Sequence, residues 1–185
     1  EFNDVTFAYE DWKSGRENLS LRIRRGERVA LVGPSGAGKS TFVNLLPRFY
    51  DPTSGSISID GTDLRDLNLA SLRAGISVVS QDNFLFNTTI RNNIAYGQHD
   101  CSEENVLAAA RAAYAHDFIM AMPEGYDTVV GERGVNLSGG QKQPLTIARA
   151  IARDAPLPIL DTPTRALDSA PAKTVQQALE NLRHG

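Results

Sequence analysis

The feature that most constrains this chain is the run Gly33-Pro34-Ser35-Gly36-Ala37-Gly38-Lys39-Ser40, which lies between the continuous apolar stretch Val29-Ala30-Leu31-Val32 and helix-compatible residues up to Leu46. A short apolar run ending in a Gly-rich turn reads as a buried strand, so the expected local order is strand, loop, helix. The run fits G-x-x-x-x-G-K-S/T completely. In such a loop the glycines let successive backbone N–H groups converge on phosphate oxygens. Lys39 supplies a cation near the β and γ phosphates, the Ser40 hydroxyl can complete a Mg2+ shell, and the following helix N-terminus adds a favourable dipole. By chance this spacing arises in about one chain in a hundred, and a Gly-rich loop can be no more than a tight turn. The strand before and the helix after favour the phosphate reading. Kinases, GTPases, helicases and transporters share the pattern, so it fixes the ligand chemistry and leaves the class open.

The rest of the chain sets that loop in an α/β context. At 185 residues with 41% apolar content, one large domain with a sizeable core is expected. Val5, Phe7 and Tyr9, then Leu19, Leu21 and Ile23, alternate with mostly polar neighbours, the period of half-buried antiparallel strands. Ile57 and Ile59 lead into the turn Asp60-Gly61, Asp51 to Gly55 is a loop by its turn chemistry, and Ile76 to Val79 reads as another buried strand. Ser102 is an N-cap candidate. Leu107, Ala110, Tyr114 and Phe118 recur at spacings of three and four, which predicts a helix over 103–120. A second helix is expected over Gly139 to Arg153 and a third carrying Val175, Leu179 and Leu182 on one face. No repeat or low-complexity linker divides the chain.

Composition removes several classes. A formal charge of −3 gives no basic field for a phosphate backbone, so nucleic acid is not an expected partner. Cys101 is the single cysteine, which excludes an internal disulfide and fits a reducing compartment. No apolar run approaches the ~20 residues that span a bilayer, and Glu1-Phe2-Asn3-Asp4 lacks the layout of a signal peptide.

Leu137-Ser138-Gly139-Gly140-Gln141 decides among the remaining classes. On average composition this run occurs in roughly one chain in several thousand. Ser138 can cap a helix whose first N–H groups are exposed by the two glycines, which makes a second anion site; a plain helix cap is the alternative. With these residues the chain resembles ATP-binding cassette (ABC) domains over essentially all its positions. The resemblance implies a P-loop NTPase-type parallel sheet flanked by helices, with an N-terminal antiparallel β subdomain and a helical signature subdomain. It places the ATP-binding core at about 1–80 and 155–185 and the signature subdomain at about 81–154. It also implies that residues 1–185 are part of such a domain, lacking its final strands and its γ-phosphate histidine. ATP and Mg2+ are the implied ligands. Two such domains pair head to tail in this family, the signature run of one closing over ATP held by the phosphate loop of the other.

Ser71-Leu72-Arg73, Val79-Ser80-Gln81-Asp82, Leu85-Phe86-Asn87, Thr89-Ile90 and Asn93-Ile94 look like the exporter type, in which the cassette is fused to membrane helices. That resemblance implies a transmembrane domain as partner and a location on the cytoplasmic face of a membrane. Gly131-Glu132-Arg133-Gly134 is similar to a segment that contacts the membrane domain, with a solvated loop as the alternative. Carried over residue by residue, the ATP site comprises Tyr9, stacking on adenine, and the phosphate loop Gly33, Pro34, Ser35, Gly36, Ala37, Gly38, Lys39, Ser40 and Thr41. Ser138, Gly139, Gly140 and Gln141 serve the partner's ATP. Ser40, Gln81 and Asp161 would serve Mg2+, Asp161 at the end of Ile159-Leu160-Asp161. Tyr9 read blandly is a core or edge-strand tyrosine, and Gln81 a loop amide.

The sequence also departs from the family. Thr162 stands where the catalytic glutamate is expected and cannot take a proton from water at neutral pH; losing a general base commonly costs about 10² to 10⁴ in rate. Pro158 falls inside an expected parallel strand, where its missing N–H removes a ladder bond, and Pro163 and Arg165 alter the following loop. Ala166-Leu167-Asp168 still matches a segment that touches the partner. Pro144 replaces a usual arginine inside the signature helix, at a cost of about 3 kcal/mol unless it lies in the first turn. His99, His116 and His184 read as surface or packing residues and Cys101 as a bystander. Three functions therefore compete. The chain is the motor domain of an exporter, a hydrolysis-deficient regulatory cassette that lends its signature to a partner, or a soluble ABC protein acting on DNA or ribosomes. The exporter-like stretch from Ser71 to Gly97 argues against the last.

Overall fold

Backbone pairing organises the chain into two compact units, Glu1–Gly75 and Ile76–Gly185, in a computed structural model that describes residues 1–8, 16–34, 36–80, 82–98, 100–161 and 177–178. In the first unit β1 (Phe2–Phe7) and β2 (Arg16–Leu21) come first, followed by α1 (Lys39–Leu45), β3 (Ser54–Ile59) and β4 (Thr62–Asp63), and then α2 (Leu69–Ala74). The four strands form one antiparallel sheet in the order β2-β1-β3-β4, with Val5 opposite Leu19 and Phe2 opposite Ile57. Val5 and Phe7 turn inward and are buried, as the alternating pattern predicts, and Phe2 and Ile57 are buried too, Phe2 being brought into phase by an irregularity of register between it and Val5. Phe42 of α1 stacks on Phe2 with ring centroids 4.4 Å apart, so the sheet holds the helix that carries the phosphate loop.

The expected buried strand over Val29–Val32 is not formed. Val29, Leu31 and Val32 are 44%, 38% and 89% exposed, and among the described residues no strand pairs with this stretch. A fully apolar run becomes a parallel strand only when ladder partners take its N–H and C=O groups, and the antiparallel sheet of this unit offers it none.

The second unit opens with β5 (Ile76–Val79), continues through α3 (Ile90–Ile94), α4 (Glu103–Ala112), α5 (His116–Met120) and α6 (Gly139–Arg153), and ends its described run with β6 (Leu157–Leu160). β5 and β6 are parallel, with Ser77 opposite Pro158 and Val79 opposite Leu160. Its core is built from Leu85, Ile90, Ile94, Val106, Ala110, Ile119, Leu145 and Ile147, all essentially inaccessible. The helix over Gly139–Arg153 has the expected limits, and of the expected third helix only Gln177 and Ala178 are described, both helical.

Pro158 sits within β6 without breaking it. The Asp161 N–H donates to Val79 O at 2.8 Å, and since successive strand residues point their N–H groups to opposite edges, the nitrogen of Pro158 faces away from β5. Pro144 is likewise accommodated: α6 runs through it, and the carbonyl that loses a donor is that of Gly140, in the exposed first turn where water can serve it.

The helix expected over 103–120 is two helices. α4 starts at the Ser102 cap, whose hydroxyl accepts the Asn105 N–H at 3.2 Å, and it closes with Tyr114 N–H to Arg111 O at 3.0 Å and Ala115 N–H to Ala110 O at 2.8 Å. This is the Schellman pattern, which needs a left-handed residue at the turn, here Tyr114 with φ 55°. The break lets Ala113, Ala115 and Ile119 all reach the core, which a straight helix cannot do. Tyrosine is poorly suited to that conformation, whereas asparagine tolerates it. Tyr114→Asn is therefore expected to stabilise the fold by about 1 kcal/mol, seen as a rise of roughly 2–4 °C in the thermal unfolding midpoint.

Candidate nucleotide site

The phosphate loop is a tight backbone structure that carries its own cation. Gly36 and Gly38 take φ values of 77° and 81°, which a side chain would strain, and Gly38 is the residue from which α1 starts. The Ala37 N–H closes on Pro34 O at 3.1 Å and the Phe42 N–H on Gly38 O at 3.0 Å. Lys39 folds back over the loop, its Nζ donating to Gly33 O at 2.8 Å and to Pro34 O at 2.9 Å. Those two carbonyls place the ammonium above the loop, and the first turn of α1 holds no acidic residue to repel an anion. Ser40 and Thr41 occupy that same first turn.

Beside the loop lies an open hollow of about 720 Å³, walled by Val5, Phe7 and Leu19 of the sheet and by Gly36, Lys39 and Thr41 of the loop and helix. An apolar wall facing a cationic loop suits a ligand with one flat apolar end and one polyanionic end. The sheet residues in this wall were missed as site residues at the sequence level. Their alternating pattern marked an inward face and could not say that the face also borders the loop. Tyr9 follows the wall residue Phe7 by two positions, but it lies outside the described residues, as do Ser35, Gln81 and Thr162.

The signature run is placed by Leu137, which is buried, and by a capping box that opens α6. The Ser138 N–H donates to Gln141 Oε1 at 3.0 Å, while the N–H groups of Gln141 and Lys142 both reach Ser138 O. Gly139 and Gly140, in the first turn, have no intrahelical carbonyl to reach. Neither has a positive φ, and a Cβ added at either would meet nothing within 4 Å. Glycine in a helix costs roughly 0.5–1 kcal/mol against alanine, and the described residues gain nothing from these two.

Asp161 follows β6, fixed by its bond to Val79 O, and it has further interactions of its own. Among the described residues there is no cluster of three or more His, Cys, Asp or Glu side chains suited to a metal. Ser40 lies in the first turn of α1 and Asp161 directly after β6, and each carries an oxygen of the kind Mg2+ takes. Burial pushes the Cys101 thiol up, away from the thiolate a nucleophile needs. His116 Nδ1 is hydrogen-bonded to Tyr126 Oη at 2.9 Å, whereas His99 and His184 lie outside the described residues. No helix among the described residues is long and apolar enough to cross a membrane.

Comparison with known proteins agrees with this chemistry. The profile of the ABC transporter family matches residues 16–165. An ATP-dependent lipid A-core flippase of Syntrophus aciditrophicus (strain SB) is 56% identical over 185 residues, which is 100% of this chain and 31% of the flippase. A β-(1→2)glucan export ATP-binding/permease protein of Brucella suis biovar 1 (strain 1330) is 50% identical over 99% of this chain and 31% of its own length. Among solved structures, a bacterial Atm1-family ABC exporter with ATP bound superposes with a TM-score of 0.89 at 46% identity, covering 98% of this chain and 32% of the exporter. The chain thus spans about a third of the length of the proteins it matches.

Proposed function

The chain belongs to the ABC transporter family, and on that premise we propose that it is the ATP-binding motor domain of an exporter, pairing head to tail with a second cassette on the cytoplasmic face of a membrane. The observation that carries this reading is the pair Gly139 and Gly140, whose missing side chains serve no contact among the described residues and leave two N–H groups and open space at a helix start. That surface is suited to the terminal phosphate of a nucleotide held by another copy or relative. In the chain's own site the Gly33–Thr41 loop and Lys39 would hold the phosphates of ATP. Ser40, Gln81 and Asp161 would serve Mg2+, which when bound neutralises charge on the phosphates. Tyr9 would stack on the base. Gly131 to Gly134 would face a transmembrane partner on the longer protein. Relatives named for lipid A-core and for β-glucan match this portion to similar extents, so the choice of cargo would lie in the membrane part.

A second reading rests on Thr162. Without a carboxylate to take a proton from water, the chain would hold ATP as a regulatory site and contribute its signature to turnover in the partner. Both readings place Ser138 to Gln141 against a partner's nucleotide, and Gly140→Ala tests that placement. In a mixed pair with an intact cassette, the substitution is expected to leave the thermal midpoint unchanged or raise it, while partner-site turnover falls about 10- to 100-fold, as when a donor to a transition-state oxygen is blocked. Unchanged turnover in the mixed pair would overturn the proposal.

A further inference from the structure

Arg149 of α6 turns its guanidinium toward Asn93 and Phe84. Its Nε donates to Asn93 O at 2.8 Å, Nη1 to Phe84 O at 3.0 Å and Nη2 to Asn93 Oδ1 at 2.9 Å. The guanidinium carbon also lies 5.5 Å from the centre of the Phe86 ring. No acidic side chain among the described residues forms an ion pair with it. Asn93 is fully buried and passes the contact on: its Oδ1 accepts the Phe86 N–H at 2.9 Å and its Nδ2 donates to Phe86 O at 2.9 Å. On α6, the Thr146 hydroxyl lies within donating distance of Asn83 Oδ1 at 3.1 Å, sharing its proton between that oxygen and Gln143 O of its own helix at 2.9 Å.

A half-buried cation that meets, among the described residues, carbonyl dipoles and the faces of Phe86 and Tyr96 is a costly way to fill space, and an apolar side chain would pack there at lower cost. Its three donors are directional, however, so they fix the orientation of what they touch. What they touch is the Asn83–Phe86 segment, directly after Gln81, and what bears them is the helix that opens with the signature run. We propose that Arg149 is a positioning residue. Acting through Asn93, it locks the Asn83–Phe86 segment to α6, so that the segment moves with Ser138–Gln141 when the signature engages a partner's nucleotide. The inference rests on the pairing proposed above.

The test uses the full-length protein paired with an intact cassette, in wild-type form and as Arg149→Met, Arg149→Lys and Ser138→Arg. Hydrogen exchange at the Phe84–Phe86 amides is followed with and without a slowly hydrolysed ATP analogue, beside partner-site kcat and KM for ATP. In the wild type, protection of these amides is expected to change on nucleotide addition. In Arg149→Met that response is expected to vanish and kcat to fall about tenfold with KM little altered, while Arg149→Lys, which keeps the charge and part of the bonding, recovers some of both. If Arg149→Met lowers only the thermal midpoint and keeps the nucleotide response, the residue is structural and the proposal is wrong. Should Arg149→Met fail to fold, Thr146→Val removes the Asn83 tie at nearly constant volume and is read in the same way. Ser138→Arg separates the two layers: if it leaves partner turnover unchanged the pairing itself falls, and if it blocks turnover while Arg149→Met changes nothing only the locking role falls.

Discussion

Lys39→Ala is expected to weaken Mg-ATP binding by about 100-fold or more, close to 2.7 kcal/mol. Two effects add. The ammonium is the cation the loop holds in place, and a charge-assisted hydrogen bond to phosphate contributes roughly 1.5–3 kcal/mol. The same Nζ also ties Gly33 O and Pro34 O together, so its removal loosens the loop before any ligand arrives. Calorimetric titration of both forms with Mg-ATP measures the total. Lys39→Met, which keeps much of the stem and loses the donors, is expected to bind as poorly as the alanine variant, because the stem does not contact phosphate. Equal affinity of Lys39→Ala and the wild type would overturn the assignment of the phosphate loop.

The second large effect is a gain. Thr162→Glu supplies a carboxylate at the position next to Asp161, and single-turnover hydrolysis at this chain's own site is expected to rise by about 10² to 10⁴, or roughly 3 to 5 kcal/mol of barrier. ATP affinity is expected to stay within about twofold, since a general base acts on water and not on the bound phosphates. The neighbouring strand gives the substitution a sound support: β6 keeps its parallel register with β5 in spite of Pro158, and Asp161 keeps its bond to Val79 O. The measurement is single-turnover hydrolysis in a pair whose other site is disabled, so that only this site contributes. A glutamate variant that binds ATP normally and gains no rate would refute the view that Thr162 alone limits turnover.

Much of the site was legible in the sequence because its parts are local. A phosphate loop is a contiguous set of backbone turns, and the residues that permit them, Gly36 and Gly38, stand next to the lysine that completes it. The signature helix was legible from end to end for the same reason, its capping box being written within Ser138 to Gln141. The inward turn of Val5 and Phe7 in β1 followed from alternation, whereas Phe2 joins them only through an irregularity of register.

Other features depended on partners the sequence does not place. Val29–Val32 reads as a strand because apolar runs of that kind usually find ladder partners; whether one is present is a fact of the sheet and not of the run. The break after α4 had no local flag, since Tyr114 occupies a left-handed turn that glycine or asparagine would have announced, and burial of Ala113 and Ala115 on both sides decided it. Pro158 reads as a fault until the edge its nitrogen faces is known. The contact of Arg149 with Asn93 joins residues 56 apart through directional bonds that leave no periodicity behind. The sequence by itself therefore determined the turns at Gly36 and Gly38 and the helix caps, where the bonding groups lie within a turn of one another. Only the tertiary structure decided the ladder edges, the helix break and the bonding of the half-buried Arg149, where the partner of each polar group comes from a distant part of the chain.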